Sequence, residues 1–477
     1  MPTWEIVGLP DIAVKESKER IRTAIRNTGI ELKSMRYIIN LSPASFRKDG
    51  AILDLAITVA LLKAMQIIKE KEEKATIFIG ELSLNGDIKS VNGILPMCIE
   101  AMKHNIKRVI IPYENYKEAS IVKGLEIVIV KNLKELIKFL NGAVKISVPK
   151  LEDNKQEIAE SIIDFSEVKG QKNIKRALEI CAAGSHNCLL IGVPGSGKTM
   201  MSRRITTILP DLSFEEALEV TKIHSIAGIL KDNYLVKERP FRSPHHTISG
   251  VGLIGGGKLP RPGEISLSHH GVLFLDELLE FKKSTLEVLR APMEDKYVSI
   301  TRSNITLTYP CNFMLVASMN PCPCGYLGSK EKECTCSEAQ KKNYRARLSG
   351  PMLDRFDIQV QVNKPKITEI MSEDTESSKN IKSRVNQCRK IQLERYKEEK
   401  IYSNSELTPK LIKKYCKIDT SASKILNFAF EKLNLSARAY TKIIKVARTV
   451  ADMDKSEIIK KEHIIEAIEY RSLDKNE

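Results

Sequence analysis

The sequence predicts an α/β protein that ends in an all-helical region, and three observations carry the prediction. An apolar strand, Cys188–Ile191, runs into a glycine-rich turn and then a helix. Two more apolar strands, Gly271–Leu275 and Phe313–Met319, follow downstream. From Thr408 onward the apolar residues recur at helical spacing. The 477 residues suit two to three domains, and 42% hydrophobic residues are enough for packed cores, which excludes wholesale disorder.

Residues 1–142 alternate helix-like and strand-like segments and form the first α/β domain. Ile12–Asn27 is a helix, with Ile12, Val14, Ile21 and Ile25 spaced along one face among Lys, Arg and Glu. Tyr37–Leu41 is rich in β-formers, and Leu53–Met65 is an apolar helix. Thr76–Leu84, Lys107–Ile111 and Leu125–Val130 read as strands. Residues 143–164 change character: Pro149 precedes Leu151-Glu-Asp-Asn-Lys-Gln-Glu, and the apolar content drops, as in a linker. Residues 165–365 hold the second α/β domain. Residues 363–400 are polar and charged, and residues 366–477 form a helical domain. There Pro409 opens a helix, and Ala422–Leu433 and Ala437–Met453 carry helical periodicity.

The second domain contains the chemistry. Gly192-Val193-Pro194-Gly195-Ser196-Gly197-Lys198-Thr199 fits the pattern G-x-x-x-x-G-K-[ST] between a strand and a helix. Its glycines let backbone N–H groups converge on a phosphate chain, and the helix N-terminus adds positive potential. Lys198 is placed to reach the β- and γ-phosphates of ATP, and Thr199 to ligate Mg²⁺. The strand Gly271–Leu275 ends in Asp276 and Glu277. Asp276 is the second candidate for the Mg²⁺ shell, and Glu277 the candidate general base for the attacking water. The strand Phe313–Met319 ends in Asn320, an amide suited to orient water at the γ-phosphate. Arg355, within Leu353-Asp-Arg-Phe-Asp357, is a candidate arginine finger for a neighbouring subunit; Arg347 is its rival, and a plain salt bridge the alternative. Arg438 opens a helix and is a candidate γ-phosphate contact, or else a solvent-facing arginine.

In this order, the phosphate loop, Asp-Glu strand, Asn strand, Asp-Arg-Phe-Asp and Ser436-Ala-Arg438 resemble the AAA+ ATPases. A finer resemblance is to the magnesium-chelatase-like YifB/ComM group of bacterial proteins. It is carried by Ile6-Val-Gly-Leu-Pro10, Ala13-Val-Lys-Glu-Ser17, Arg242-Ser-Pro-His-His246, Pro262-Gly-Glu-Ile265, Asn320-Pro-Cys-Pro-Cys-Gly325 and Ala437-Arg-Ala-Tyr440. The resemblance covers nearly the whole chain. It implies a Lon-protease-like (S5-like) α/β domain in front, a P-loop AAA+ core with a parallel sheet, a C-terminal helical lid and a homo-hexameric ring. By the same resemblance, a further strand is expected ahead of Trp4-Glu-Ile-Val7. ComM members of the group are implicated in branch migration of DNA during natural transformation.

Active Lon-like domains use a Ser–Lys dyad in which a depressed-pKa amine activates the hydroxyl. Here Lys48-Asp-Gly50 is followed by Ala51-Ile-Leu-Asp-Leu55, with no hydroxyl before Thr58. Pro96 stands about where the lysine belongs. Peptidase activity is therefore not expected, and Lys48 and Lys89 read as surface residues.

Four cysteines, Cys322, Cys324, Cys334 and Cys336, form two C-x-C pairs within the loop 322–336. They are candidate Zn²⁺ ligands in a structural site. Unliganded thiols, a disulfide or an iron–sulfur centre are the alternatives. His245-His246 and His269-His270 have no cysteine or carboxylate at ligand spacing, so a metal role is not expected for them. Gly250–Arg261 is a glycine-rich basic hairpin candidate, and Val298–Thr308 a second hairpin turning at Ser303-Asn304. In this AAA+ branch such inserts project into the ring pore, which makes Lys258, Arg261 and Arg302 candidate DNA-phosphate contacts. Solvated loops are the alternative.

No stretch approaches the roughly 18 apolar residues a membrane span needs, and no secretory leader is apparent, so a cytoplasmic protein is expected. Ten cysteines are too few for a disulfide scaffold. The net charge of +16 suits a polyanion partner. It is spread, with 23 basic and 17 acidic residues in 1–145 and 25 and 18 in 364–477, so it marks no groove by itself. The expected function is an ATP-dependent DNA motor, a branch-migration helicase by resemblance. The alternative is a chelatase-type ATPase that remodels a protein partner without DNA.

Overall fold

The computed structural model describes residues 4–43, 48, 50–69, 75–149, 163–230, 235–257, 260–302, 305–329, 332–365, 368, 371, 375–399 and 401–471. They form two compact units. One comprises Met1–Lys155 with Thr221–Val236, the other Gln156–Val220 with Lys237–Glu477. This grouping differs from the sequence boundaries in two ways. Residues 221–236 join the first unit, where the Ser225 hydroxyl donates to Glu118. The helical region after residue 366 also shares one hydrophobic cluster with the second α/β region, running from Phe165 to Tyr470.

In the first unit the helix Ile12–Asn27 forms as its periodicity predicts. Asp11 caps it by accepting from the Val14 N–H at 2.7 Å, and Val14, Ile21, Ala24 and Ile25 are buried. Thr76–Phe78, Arg108–Pro112 and Glu126–Val130 make a three-stranded parallel sheet. The run expected over Thr76–Leu84 splits after Phe78. Gly80 exchanges backbone hydrogen bonds with Ile52 and Leu55 beside the start of the helix Asp54–Ala64, and Glu81–Leu82 turns into a hairpin with Ile88–Lys89.

The second unit is built on a five-stranded, all-parallel sheet. Its order is Ile358–Val362, Cys188–Gly192, Met314–Met319, Val272–Leu275 and Phe241–Arg242. Parallel pairing puts every strand's C-terminal end on one edge, where ligands of open α/β sheets bind. Helices Lys172–Gly184, Lys198–Ile208, Ser378–Arg395 and Ala437–Met453 contribute to the surrounding core. Ser378–Arg395 falls in the helical region expected from residue 366, yet the stretch 363–400 shows no apolar periodicity because the helix's buried side mixes Ile381, Val385 and Cys388 with the polar Ser378 and Gln392. Gln392 donates to the Ala183 carbonyl at 3.0 Å, so tertiary hydrogen bonding replaces part of an apolar stripe.

Of the two expected hairpins, Tyr297–Arg302 pairs antiparallel with Ile305–Pro310, while its turn Ser303-Asn304 lies outside the described residues. The other differs. Gly250–Ile254 is a short helix whose N-cap, Ser249, accepts from the Gly252 N–H, and only Gly255–Gly256 pairs with Arg261–Pro262. A serine cap thus starts a helical turn where the glycine content suggests a ribbon. Among the described residues no helix is long and apolar enough to cross a membrane.

Candidate nucleotide site

Three neighbouring strands of the second sheet end in candidate site residues. The phosphate loop turns back after Gly192, where a Cβ would overlap the Val362 carbonyl. Gly195 and Gly197 have φ of +72° and +87°, the left-handed region that glycine adopts without strain. Lys198, first residue of the helix Lys198–Ile208, folds over the loop. Its Nζ donates to the carbonyls of Gly192 at 2.6 Å and Val193 at 3.1 Å, and to Asn320 Oδ1 at 3.3 Å. Burial lowers its pKa, against the raising effect of Asp276 and Glu277. The Ser196 hydroxyl is buried in the loop without a partner among the described residues.

The Thr199 hydroxyl donates to Asp276 Oδ2 at 2.7 Å. Asp276 Oδ1 accepts from the Ser318 hydroxyl and, at 3.1 Å, from the Glu277 N–H. A hydroxyl and a carboxylate in contact beside the phosphate loop are the two protein donors that Mg²⁺ takes in such sites, so the residues fit a magnesium–nucleotide complex. Glu277 is exposed and has φ +52°, which turns its side chain out of the strand direction. His246 Nδ1 stands 3.8 Å from Glu277 Oε2.

The two arginines lie elsewhere. Arg355 is buried, paired with Glu294 and donating to the Pro351 carbonyl at 2.8 Å, so it must leave that pair to reach a neighbour. Arg438 is exposed at the start of the helix Ala437–Met453, 4.0 Å from Asp354. Among the described residues neither bonds to residues 192–199. Arg347 is also exposed, 3.7 Å from Glu280. Sequence reasoning missed two supporting residues. Ser318 lies next to last on the strand Met314–Met319, two positions before Asn320. Gln171, at φ +55° just before the helix Lys172–Gly184, donates to the Ser196 carbonyl at 3.0 Å.

The four cysteines converge: their sulfurs lie within 4.8 Å of one another. Cys322 Sγ is 3.4 Å from Cys324 Sγ and 3.6 Å from Cys334 Sγ, and Cys324 is 3.6 Å from Cys334. Tetrahedral zinc–thiolate geometry needs sulfurs about 3.8 Å apart. Backbone N–H groups of Leu327 and Cys324 point at Cys322 and Cys336 Sγ, both at 3.3 Å. The Tyr326 N–H and then the neighbouring thiols hold the Cys324 thiol below its usual pKa, whereas burial pushes Cys322 up.

One expectation about the histidines is corrected. A carboxylate does stand beside His269 and His270: Glu219, from the helix Phe214–Ala227, lies 3.0 and 2.9 Å from their Nε2 atoms. Sequence spacing could not show a partner 50 residues away. His269 Nδ1 accepts from the Asn312 N–H at 2.9 Å, so the ring proton sits on Nε2 and donates to Glu219. A metal at Nε2 would need that proton on Nδ1, where Asn312 already donates. The His269 hydrogen bond lowers the Glu219 pKa to about 2. Lys258 and the side chain of Arg302 lie outside the described residues; Arg261 is exposed at the base of its short hairpin.

Comparison with known proteins agrees with this architecture. Residues 164–370 match the family described as magnesium chelatase, subunit ChlI. Residues 1–115 match subunit ChlI of Mg-chelatase, and residues 375–471 the ChlI C-terminal region. The chain is 41% identical over 478 residues to the uncharacterized protein YifB of Escherichia coli, covering 100% of this chain and 92% of that one. It is 38% identical over 482 residues to the competence protein ComM of Haemophilus influenzae, covering 99% and 92%. A shorter match, 32% identical over 126 residues, relates 26% of the chain to 22% of Lon protease 2 of Bacillus subtilis. The chain belongs to the magnesium-chelatase-like family that includes YifB and ComM.

Proposed function

We propose that this chain is a Mg·ATP-driven DNA motor. Family membership supports ATPase chemistry with ATP and Mg²⁺. The observation that carries it is the Thr199–Asp276 contact beside Lys198. Mg²⁺ supplies charge neutralisation at the phosphates. Thr199 and Asp276 hold the ion, and Ser318 fixes the Asp276 carboxylate. Lys198 exchanges its loop carbonyls for phosphate oxygens. Glu277 takes the proton of the attacking water, and Asn320 orients that water.

The DNA part of the proposal draws on the competence protein among the relatives and on the hairpin Tyr297–Pro310 with the shorter ribbon at Arg261. A homo-hexameric ring in the cytoplasm would line its pore with these elements, and Arg355 would serve the neighbouring site after leaving Glu294. Arg438 would sense the γ-phosphate from the helical region. ATP turnover measured with and without single-stranded and forked DNA tests the motor: stimulation is expected. Turnover indifferent to both DNAs favours instead a chelatase-type remodeller of a protein partner, a reading supported by the chelatase matches along the chain. Replacing Lys258, Arg261 and Arg302 together by Ala should weaken DNA binding and flatten its salt dependence by about one logarithmic unit per lost phosphate contact. Unchanged DNA affinity defeats that assignment.

The four cysteines fit a structural zinc site, since four sulfurs that converge within 4.8 Å of one another can fill all four positions of a tetrahedral ion. Metal analysis of protein purified without chelator should find about one zinc per chain. A content well below half an equivalent rejects the site.

A further inference from the structure

The cysteine loop rests on the phosphate loop. Gly325 has φ +84°, and a Cβ there would come within 2.8 Å of both Cγ and Cδ of Pro194, inside the Gly192–Thr199 loop. Only a bare Cα lets the backbone lie this close to the proline ring. Gly325 directly follows Cys324, and its N–H donates to the Cys322 carbonyl at 2.9 Å. Five residues earlier the same segment carries Asn320, which accepts from Lys198. Residues 320–325 therefore touch the nucleotide loop at two points, and two of the four thiols lie between them. Cys334 and Cys336 hold the segment from the other side, through the 3.6 Å sulfur contacts and the Cys324 N–H bond to Cys336.

We propose that metal on the four cysteines and nucleotide on the phosphate loop are energetically coupled through Gly325 and Asn320. The proposal rests on the zinc reading above. An ion on the four sulfurs ties the two Cys-x-Cys pairs together through four bonds, whereas without it only sulfur contacts and one N–H bond join them. Loss of the ion opens the turn Cys322–Gly325. Gly325 then withdraws from Pro194, and Asn320 from Lys198. The phosphate loop loses the wall that holds its backbone N–H groups in a phosphate-binding curve. Coupling of this kind is reciprocal: bound nucleotide must hold the metal as strongly as the metal favours nucleotide. The cysteine loop is thus a positioning element for the ATP site rather than a detached staple.

The test uses the full chain with Mg²⁺ in excess and a fluorescent ADP as the probe. Zinc is quantified first, then removed with a zinc-selective chelator and restored. Removal should weaken ADP binding by about fivefold or more, and restored zinc should recover it. Saturating Mg·ADP should raise the zinc affinity, read at equilibrium by competition with a chromogenic chelator, by the same factor. Gly325→Ala should hold its zinc yet bind ADP more weakly, because the added methyl meets Pro194. If that variant loses zinc, chelation of the unaltered chain carries the test. ADP affinity that moves by less than about twofold on removal of measured zinc overturns the coupling and leaves the zinc site standing. A chain that takes up no zinc overturns both.

Discussion

The two units each place an aspartate where a serine hydroxyl donates to it, and the two aspartates have opposite fates. In the first unit Asp54 is fully buried at the first turn of its helix. It accepts from Ser17, from Arg20 Nε at 3.0 Å and from the Leu82 N–H at 3.3 Å. In the second unit Asp276 accepts from Ser318, but it remains half-exposed, and its free side meets Thr199. One carboxylate is sealed by a guanidinium and has nothing left to offer. The other keeps an oxygen for a cation. Burial and counter-charge, rather than residue type, separate a structural carboxylate from a metal-binding one.

The largest effect should come from the open site. Glu277→Gln should lower ATP turnover about a hundredfold or more while nucleotide still binds; steady-state turnover near that of the unaltered chain rejects Glu277 as base. Asp54→Ala attacks the sealed site. It leaves the Arg20 charge and two further donors without their acceptor, and should destabilise the first unit by about 3 kcal/mol. Urea unfolding followed by the single tryptophan, Trp4, reads this unit directly. ATP turnover should survive; if it falls with stability unchanged, the contrast between the two aspartates is broken.

The smallest effect sharpens the contrast with a third carboxylate. Asp357 is buried in the second unit. Burial raises its pKa, but Lys442 at 2.9 Å and His186 outweigh that and hold it well below the usual range. It resembles Asp54 rather than Asp276. His186, fully buried against Thr449 at 2.7 Å, has its pKa lowered by burial. The unfolded chain therefore takes up a proton that the folded ring refuses, and stability falls as pH drops below about 6.5. Urea midpoints of the second unit at pH 7.5 and 5.5 should show the loss, and His186→Gln should reduce it.

Much of the site was legible because it is local in sequence. The loop Gly192–Thr199 needs its glycines and lysine at fixed spacing, and Asp276 and Asn320 fall at the ends of apolar strands. Ser318 and Gln171 were not legible, because a serine in a strand and a glutamine before a helix carry no signal until the fold brings Asp276 and Ser196 to them. The bounds of the helix Ser378–Arg395 were hidden for the same reason, since Gln392 is buried by a hydrogen bond to Ala183 rather than by its own apolarity.

By itself the sequence determined the α/β class, the phosphate loop and the order of the acidic and amide strands, because these depend on backbone conformation and short-range periodicity. Only the tertiary structure decided what several of these groups face. It put Glu219 against two histidines, turned Arg355 toward Glu294 and set Gly325 on Pro194. Those partners lie tens to more than a hundred residues apart. Their encounter is fixed by how strands and helices pack, which no local spacing encodes.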